Sequence, residues 1–427
     1  MLFAAYVLSL RLCVKTSMDF NIAVKYLLDL GHETLAIKLG LRNTELLLAA
    51  LDNPERAFPS VQIAGTNGKG STAVMLDSIC CAAGIKSGLY TSPHLVSMTE
   101  RVKVSGVELT PEAFAACATK VREVSEQLEA LPTFFEQITA IALLAFRNAR
   151  VELAILETGL GGRLDSTTAA NARIVGITSI AFDHEEYLGN TIESIAAEKA
   201  AIIRPGVRTV IARQPEPAAL DVLLNRCEQV GVTPILADSN VTDGLVLGLR
   251  GQHQKDNAAV AIGLAELLKA DGFAISDAAI VDGLKTAKHA GRLELIPHKP
   301  SFLIDGAHNP AGAQSLRAYL DQFATRPLTL VFGAMRDKQL EQMGETLFPV
   351  ADTLVLTTID NPRSASLEML QTIASRFAKG NVLASESSAE ALRIALANTP
   401  REGLICIAGS LYLAGEIRPL ILSLGES

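Results

Sequence analysis

The reading of this chain turns on Gly65-Thr66-Asn67-Gly68-Lys69-Gly70-Ser71, which directly follows the short apolar run Val61 to Ala64. A buried strand that breaks into glycines and then enters a helix makes a phosphate cradle. The glycines let consecutive backbone N–H groups converge on oxyanions, Lys69 adds positive charge, and the Ser71 hydroxyl can reach a bound Mg²⁺ ion. The common nucleotide loop is Gly-x4-Gly-Lys-[Ser/Thr], with the hydroxyl directly after the lysine. Here Gly70 separates Lys69 from Ser71, and the first glycine lies closer to the lysine. The sequence therefore reads as that of an ATP user with a variant loop.

Outward from the loop, strands and helices alternate. A helix is expected from Ser71 to Gly84, then a strand from Ser87 to Tyr90. After a polar, Pro-containing stretch come helices from Pro111 to Leu128 and from Phe135 to Asn148. Leu153 to Leu156 and Ile174 to Ile180 are continuous apolar runs, as strands buried on both faces of a parallel sheet require. Val207 to Ile211 adds another strand. Such alternation predicts an α/β fold with right-handed crossovers and a nucleotide at the carboxyl ends of the strands, where Gly65 sits.

Apolar periodicity lapses from Lys285 to Pro300, where Gly, His, Pro and Lys cluster, and a second αβ series follows. Its strands are expected at Phe302 to Ile304, Leu328 to Phe332, Thr353 to Thr357 and Leu404 to Ala408. Its helices are expected at Ala311 to Phe323, Gln339 to Leu347, Leu367 to Phe377 and Ala389 to Asn398. The organisation expected is an ATP-binding central domain over 18–290 with a parallel-rich sheet, then a smaller Rossmann-like α/β domain over 291–427 that lacks Gly-x-Gly-x-x-Gly. Residues 1–17 stand apart. Met1 to Leu10 is apolar and Arg11 and Lys15 come after it, the reverse of a signal peptide's order. The segment reads as an upstream extension or an early-assigned start, followed by a helix from Asn21 to Leu30.

With 427 residues the chain exceeds one ordinary core, which agrees with two domains. A formal charge of −8 argues against a basic surface that grips nucleic acid. A small anionic substrate needs only a local positive pocket. No later run reaches membrane-spanning length without charge. Cys13, Cys80, Cys81, Cys117, Cys227 and Cys406 show no CxxC spacing and read as small apolar residues of a reducing cytosol. The expectation is a cytoplasmic monomer with small-molecule partners, no nucleic acid and no membrane.

The loop, preceded by Ala64, resembles that of the Mur ligases, ATP-dependent enzymes that join a carboxylate to an amino acid. Further segments narrow the resemblance to their folylpolyglutamate synthase and dihydrofolate synthase branch, over roughly residues 20–415. They are Glu157-Thr158-Gly159-Leu160-Gly161-Gly162-Arg163-Leu164-Asp165, Asp183-His184-Glu185-Glu186-Tyr187-Leu188-Gly189-Asn190-Thr191 and the stretch from Ile195 to Gly206 that contains Glu198-Lys199-Ala200. Asp305-Gly306-Ala307-His308-Asn309-Pro310 is a fourth. The chain departs from the pattern at Lys288-His289-Ala290, where relatives commonly carry an aromatic–proline pair, and this bears on the adenine side.

Read alone, Glu157 at a strand end beside the loop is either an oxygen ligand for Mg²⁺ or a helix cap. Lys199 is by itself an ordinary helix lysine, and the Asp305 segment a polar turn before a helix. The resemblance implies more. It implies Mg²⁺ ligands Ser92, Glu157 and His184, with Ser71 near the phosphates and a monovalent cation as a further option. It implies ATP contacts from Thr66, Asn67, Gly68, Lys69, Gly70, Ser71, Asn257, Arg292 and Asp305. Lys199 is expected to be carbamylated to N6-carboxylysine, and Lys69, Lys199 and His308 to serve catalysis. Ile37, Lys38 and Leu39, Thr133, Phe134, Phe135 and Glu136, and Leu164, Asp165 and Ser166 match positions that hold a pterin; the phenylalanines read equally well as core. Arg101, His308 and Ser410 match a glutamate site.

The implied partners are dihydropteroate or folates, L-glutamate and ATP, and the implied chemistry passes through an acyl phosphate. Two rivals stand beside this reading. A ligase for cell-wall precursors usually carries an added N-terminal domain, for which about 40 residues before the loop strand leave little room. A nucleotide-gated binding protein would not need a second αβ domain with its own polar strand ends.

Overall fold

The computed structural model describes residues 17–31 and 40–426, so the expected 1–17 extension, save its last residue, and the Ile37-Lys38-Leu39 loop lie outside it. In chain order the strands of the first sheet are β1 (Ser60–Ala64), β2 (Ser87–Tyr90), β3 (Val102–Val104), β4 (Val107–Glu108), β5 (Leu153–Glu157), β6 (Ile174–Ile177), β7 (Arg208–Ile211) and β8 (Ile235–Leu236). They pair in the order β4-β3-β2-β5-β1-β6-β7-β8, parallel except where the β3–β4 hairpin joins β2. Alternation along each strand sends successive side chains to opposite faces. Ala154 and Leu156 therefore join the core under helices Pro111–Ser125 and Phe134–Ala149, while Leu153 and Ile155 join the one under Lys69–Ala82 and His253–Ala270. All five residues of β1 and of β5 are buried, which explains their mostly apolar character; the side-chain amide of the buried Gln62 donates to the hydroxyls of Thr158, Thr167 and Thr168.

The second sheet holds β9 (Glu294–Ile296), β10 (Ser301–Ile304), β11 (Leu328–Phe332), β12 (Thr353–Thr357), β13 (Asn381–Ser385) and β14 (Leu404–Ala408). The order is β13-β12-β11-β14-β10-β9, parallel but for the edge strand β9. The same alternation splits its core: Leu303, Leu330 and Leu354 face Leu316 and Met343, whereas Phe302, Val331 and Val355 face Leu392 and Ile417. Both sheets are thus covered on both faces, as expected for an α/β chain with mostly parallel strands.

Some elements differ from the sequence reading. Helices Pro217–Gln229, His253–Ala270 and Asp277–Thr286 were not marked out by pattern. His253–Ala270 buries mainly alanines, and Gly263 lies so close to β7 that a Cβ would meet Val210 at 2.9 Å, so apolar contrast between its faces is weak. The polar stretch before Pro111 contains the β3–β4 hairpin, whose Val107 is 69% exposed. The run from Ile174 to Ile180 stops at Ile177, because the following residues bend to bond the phosphate loop. β9 falls inside the expected lapse, and among the described residues the chain crosses from the first sheet's layers to the second's once, over 287–293.

Candidate active site

β1 lies between β5 and β6, so the segments that follow the three strands meet at one edge. The phosphate loop is fixed there by backbone. Thr66 and Asn67 donate their N–H groups to the Ser179 carbonyl at 2.8 and 3.2 Å, and the Thr66 hydroxyl bonds the Ala181 backbone in both directions. Gly65 and Gly68 have positive φ, and a Cβ at either would strike Thr178 Oγ1 or Asn257 Oδ1 at about 2 Å. Helix Lys69–Ala82 starts two residues before the expected Ser71, so the loop's last residues already present helix N-terminal N–H groups. Lys69 Nζ donates to the carbonyls of Gly65 and Thr66, both at 3.0 Å. Ser71 is buried and accepts from Gln254 Nε2, whose own Oε1 accepts from Asn257 Nδ2.

Around the loop lie the other charged candidates. Glu157, the last residue of β5, is 5% exposed and accepts the Ser92 N–H at 2.9 Å. Burial raises its pKa against the opposing pull of Lys69. A Cβ on Gly70 would stand 3.1 and 3.2 Å from its two oxygens, so this carboxylate presses on the start of the phosphate helix. Lys199, on helix Ile192–Ala200, is 4% exposed and donates to Gly65 O; burial, aided by Lys69, lowers its pKa to about 7. His184 caps helix Glu185–Leu188 with φ of 54°, and burial lowers its pKa to about 4, which leaves a neutral ring with a free lone pair.

A divalent ion suits this donor set. The Glu157 carboxylate and the Ser71 and Ser92 hydroxyls are hard oxygen donors, and His184 adds a neutral imidazole. Among the described residues no three His, Cys, Asp or Glu side chains gather to form a metal cage. A site of this kind leaves several positions to phosphate and water, as Mg²⁺ prefers.

The second body supplies the facing wall. Asp305 ends β10, and its two oxygens accept the N–H groups of Leu293 and Ala307, each at 2.9 Å. The residue that caps the following helix is Asn309, which accepts from Gly312 N. Arg292 packs against Gly306 and lines, with Ser92, Glu157 and His289, a cavity of about 580 Å³ between the two bodies. The His289 ring nitrogen Nδ1 is buried without a partner, and burial lowers its pKa to about 3. Ser410 caps helix Leu411–Ser423 and is brought near His308 by the Gly409 N–H to Ala307 O bond.

The pterin and glutamate candidates fall into two groups. Thr133 and Glu136 form a reciprocal capping box, and Phe134 is a core residue, so these positions do structural work. Phe135 lies on the Gly159 backbone, where a Cβ would meet its ring at 2.3 Å. Asp165 accepts from Gly159, Leu160 and Thr167, holding the loop after β5, while Ser166 Oγ accepts from Thr44. Leu164 beside them is partly buried. Arg101 sits over the Phe134 ring at 5.4 Å and donates to His94 Nδ1, on the first body, whereas His308 and Ser410 belong to the second.

Sequence reasoning assigned no role to Asp183, Asn309, Lys338 or Gln254. Asp183 accepts from Lys338 Nζ at 2.6 Å and from Asn309 Nδ2 at 3.2 Å. Burial pushes its carboxyl up, but His308, His184 and Lys338 overcome this and hold it well below the usual range. The signal available in the sequence was position: Asp183 and Asn309 lie in quoted motifs, next to residues that were chosen.

Residues 63–219 match the Mur ligase middle domain, and 291–411 match the Mur ligase glutamate ligase domain. The dihydrofolate synthase/folylpolyglutamate synthase of Bacillus subtilis (strain 168) is 34% identical over 91% of this chain and 96% of its own length. The structure of E. coli FolC in complex with DHPP and ADP superposes with a TM-score of 0.85 at 31% identity, covering 96% of this chain and 99% of that one. A bifunctional folylpolyglutamate synthase/dihydrofolate synthase from Yersinia pestis, complexed with AMPPNP and Mn ion, gives 0.82 at 28% identity over 95% and 98%. The fold and the loop-centred site define a Mur-type ligase. Within that class the chain belongs to the dihydrofolate synthase/folylpolyglutamate synthase family of ATP-dependent ligases.

Proposed function

We propose that this chain joins L-glutamate to the carboxylate of dihydropteroate or a folate, with ATP activating that carboxylate as an acyl phosphate. The observation that carries this reading is the meeting of Lys69, Glu157 and Lys199 at the ends of neighbouring strands, opposite His308 and Asn309 of the second body. The loop N–H groups and Lys69 would hold the ATP phosphates and stabilise charge as the γ-phosphoryl moves to the acceptor. Ser71, Ser92, Glu157 and His184 would hold Mg²⁺, which when bound neutralises phosphate charge. Arg292, which lines the same cavity as Ser92 and Glu157, would pair its fork with phosphate oxygens. The glutamate amine then attacks the acyl carbon, and phosphate leaves.

Water must be kept out, because an acyl phosphate hydrolyses readily. The two bodies, taken as domains over 18–290 and 291–427, close the cleft through side chains that already reach across it. In this reading Lys199 becomes a carbamate beside Lys69, and the Thr133–Glu136 and Leu164–Ser166 segments frame the pterin. The test is an ATP-dependent ligation assay with dihydropteroate and tetrahydrofolate offered in parallel. Release of ADP and phosphate that needs both glutamate and one of these acids supports the reading. ATP turnover indifferent to both overturns it.

A further inference from the structure

Asp183 is where the second body grips the phosphate-loop edge. Its side chain is 6% exposed, and the partners it gathers come from two separate loops of that body. Lys338, after β11, donates to Oδ1 at 2.6 Å. Asn309, after β10, donates to Oδ2 at 3.2 Å, and His308 Nε2 stands 3.4 Å from the same oxygen. Two residues on, Glu185 accepts from Gln339 Nε2 at 2.6 Å. The Asn309 amide nitrogen also donates to Asn67 Oδ1 at 3.0 Å, so the network ends on the phosphate loop itself.

The orientation of His308 follows from its neighbours. Nδ1 lies 2.8 Å from the Gly306 carbonyl, which can only accept, so Nδ1 carries a proton. Nε2 faces a carboxylate, again an acceptor. Both ring nitrogens are thus engaged, Nδ1 by the Gly306 carbonyl and Nε2 by the Asp183 carboxylate.

We propose that Asp183 is a positioning residue for ligation: it fixes the His308 ring and the Lys338 ammonium at the cleft, and through Asn309 and Asn67 it ties their placement to the phosphate loop. This rests on the ligase reading above and adds to it a residue that holds the His308 ring and the Lys338 ammonium in place. Asp183→Asn keeps the side chain's size but turns an NH₂ group toward donors, which breaks at least one of the contacts.

The experiment compares the parent with Asp183→Asn, Asp183→Glu and Asp183→Asn/Lys338→Met. Positioning predicts a kcat at least 100-fold lower for Asp183→Asn, with a KM for ATP within about threefold of the parent. Asp183→Glu should recover part of that loss, and the double variant should fall little further than Asp183→Asn alone. Hydrogen–deuterium exchange without substrates should show faster exchange over 305–312 and 335–341 in Asp183→Asn. That readout stands whether or not the parent ligates glutamate, so it separates failure of this proposal from failure of the function. Unchanged exchange in those segments overturns the proposal, as does a parental kcat. Losses that fall equally on ATP affinity and thermal midpoint also overturn it, since they report a merely structural acid.

Discussion

Lys69 and Lys199 donate to one acceptor. The Gly65 carbonyl oxygen receives the Nζ of each, at 3.0 and 2.9 Å, from two different helices. Burial lowers the pKa of both ammonium groups, and their mutual closeness adds to the fall at Lys199, which reaches about 7. At neutral pH much of it is free amine, the form that reacts with CO₂, and a carbamate there would face Lys69 with opposite charge.

Carbamylation of Lys199 is therefore expected to rise with pH through about 7 and with added bicarbonate. Labelled bicarbonate followed by carbon NMR reads it directly. Lys199→Ala should lose activity, and acetate should restore part of it by occupying the vacated anion position. An unmodified amine in fully active enzyme would defeat this expectation.

Lys69→Ala should leave the fold intact, since the loop is shaped by Gly65, Gly68 and the bonds to Ser179. It should cost on the order of 3–4 kcal/mol of transition-state stabilisation, about a hundredfold to a thousandfold in kcat. Circular dichroism and single-turnover kinetics check the two halves of the claim; near-normal turnover at saturating ATP contradicts it.

Glu157→Gln and His184→Ala should each raise the Mg²⁺ concentration for half-maximal activity by about tenfold or more. Titration of activity with Mg²⁺ at fixed free ATP measures this. Curves that overlay the parent's would remove both residues from the metal site.

Asp77 offers a stability test away from the chemistry. Burial raises its carboxyl from 3.8 to about 6, although Ser87 Oγ donates to it at 2.6 Å and Lys103 lies near. Between those values the native state binds more protons than the unfolded chain, so stability falls as pH rises through the window, and the cost is complete above 6. Asp77→Asn, which can still accept from Ser87, should be more stable than the parent at pH 8 by about 1–3 kcal/mol, with the difference closing toward pH 4. Urea denaturation at the two pH values decides, and a less stable variant at pH 8 refutes the argument.

How much of this was legible in the sequence depended on the range of the interaction. Thr353–Thr357, Leu367–Phe377 and Leu404–Ala408 run as read, because each is a compact apolar or periodic segment between turns. The phosphate loop and Glu157 were legible for the same reason, being strand ends with distinctive neighbours. His253–Ala270 was not, since alanine gives a helix face little contrast. Nor was the place of β14 between β10 and β11, which is set by a crossover and not by any local pattern. The Asp183 network joins residues 126 and 155 positions apart, and nothing near Asp183 announces Lys338. At Thr133 and Glu136 the sequence also carries a capping box, a pattern local enough to be read from the residues alone.

The passage of the chain over 287–293, the one crossing among the described residues, has a mechanical consequence. Any swing of one body against the other must be taken up in those few residues, and Arg292 is among them. A phosphate that immobilises Arg292 would also stiffen the joint, so that ATP would act as a splint as well as a fuel. Its departure as ADP would free the product by loosening the same residues that had held the nucleotide.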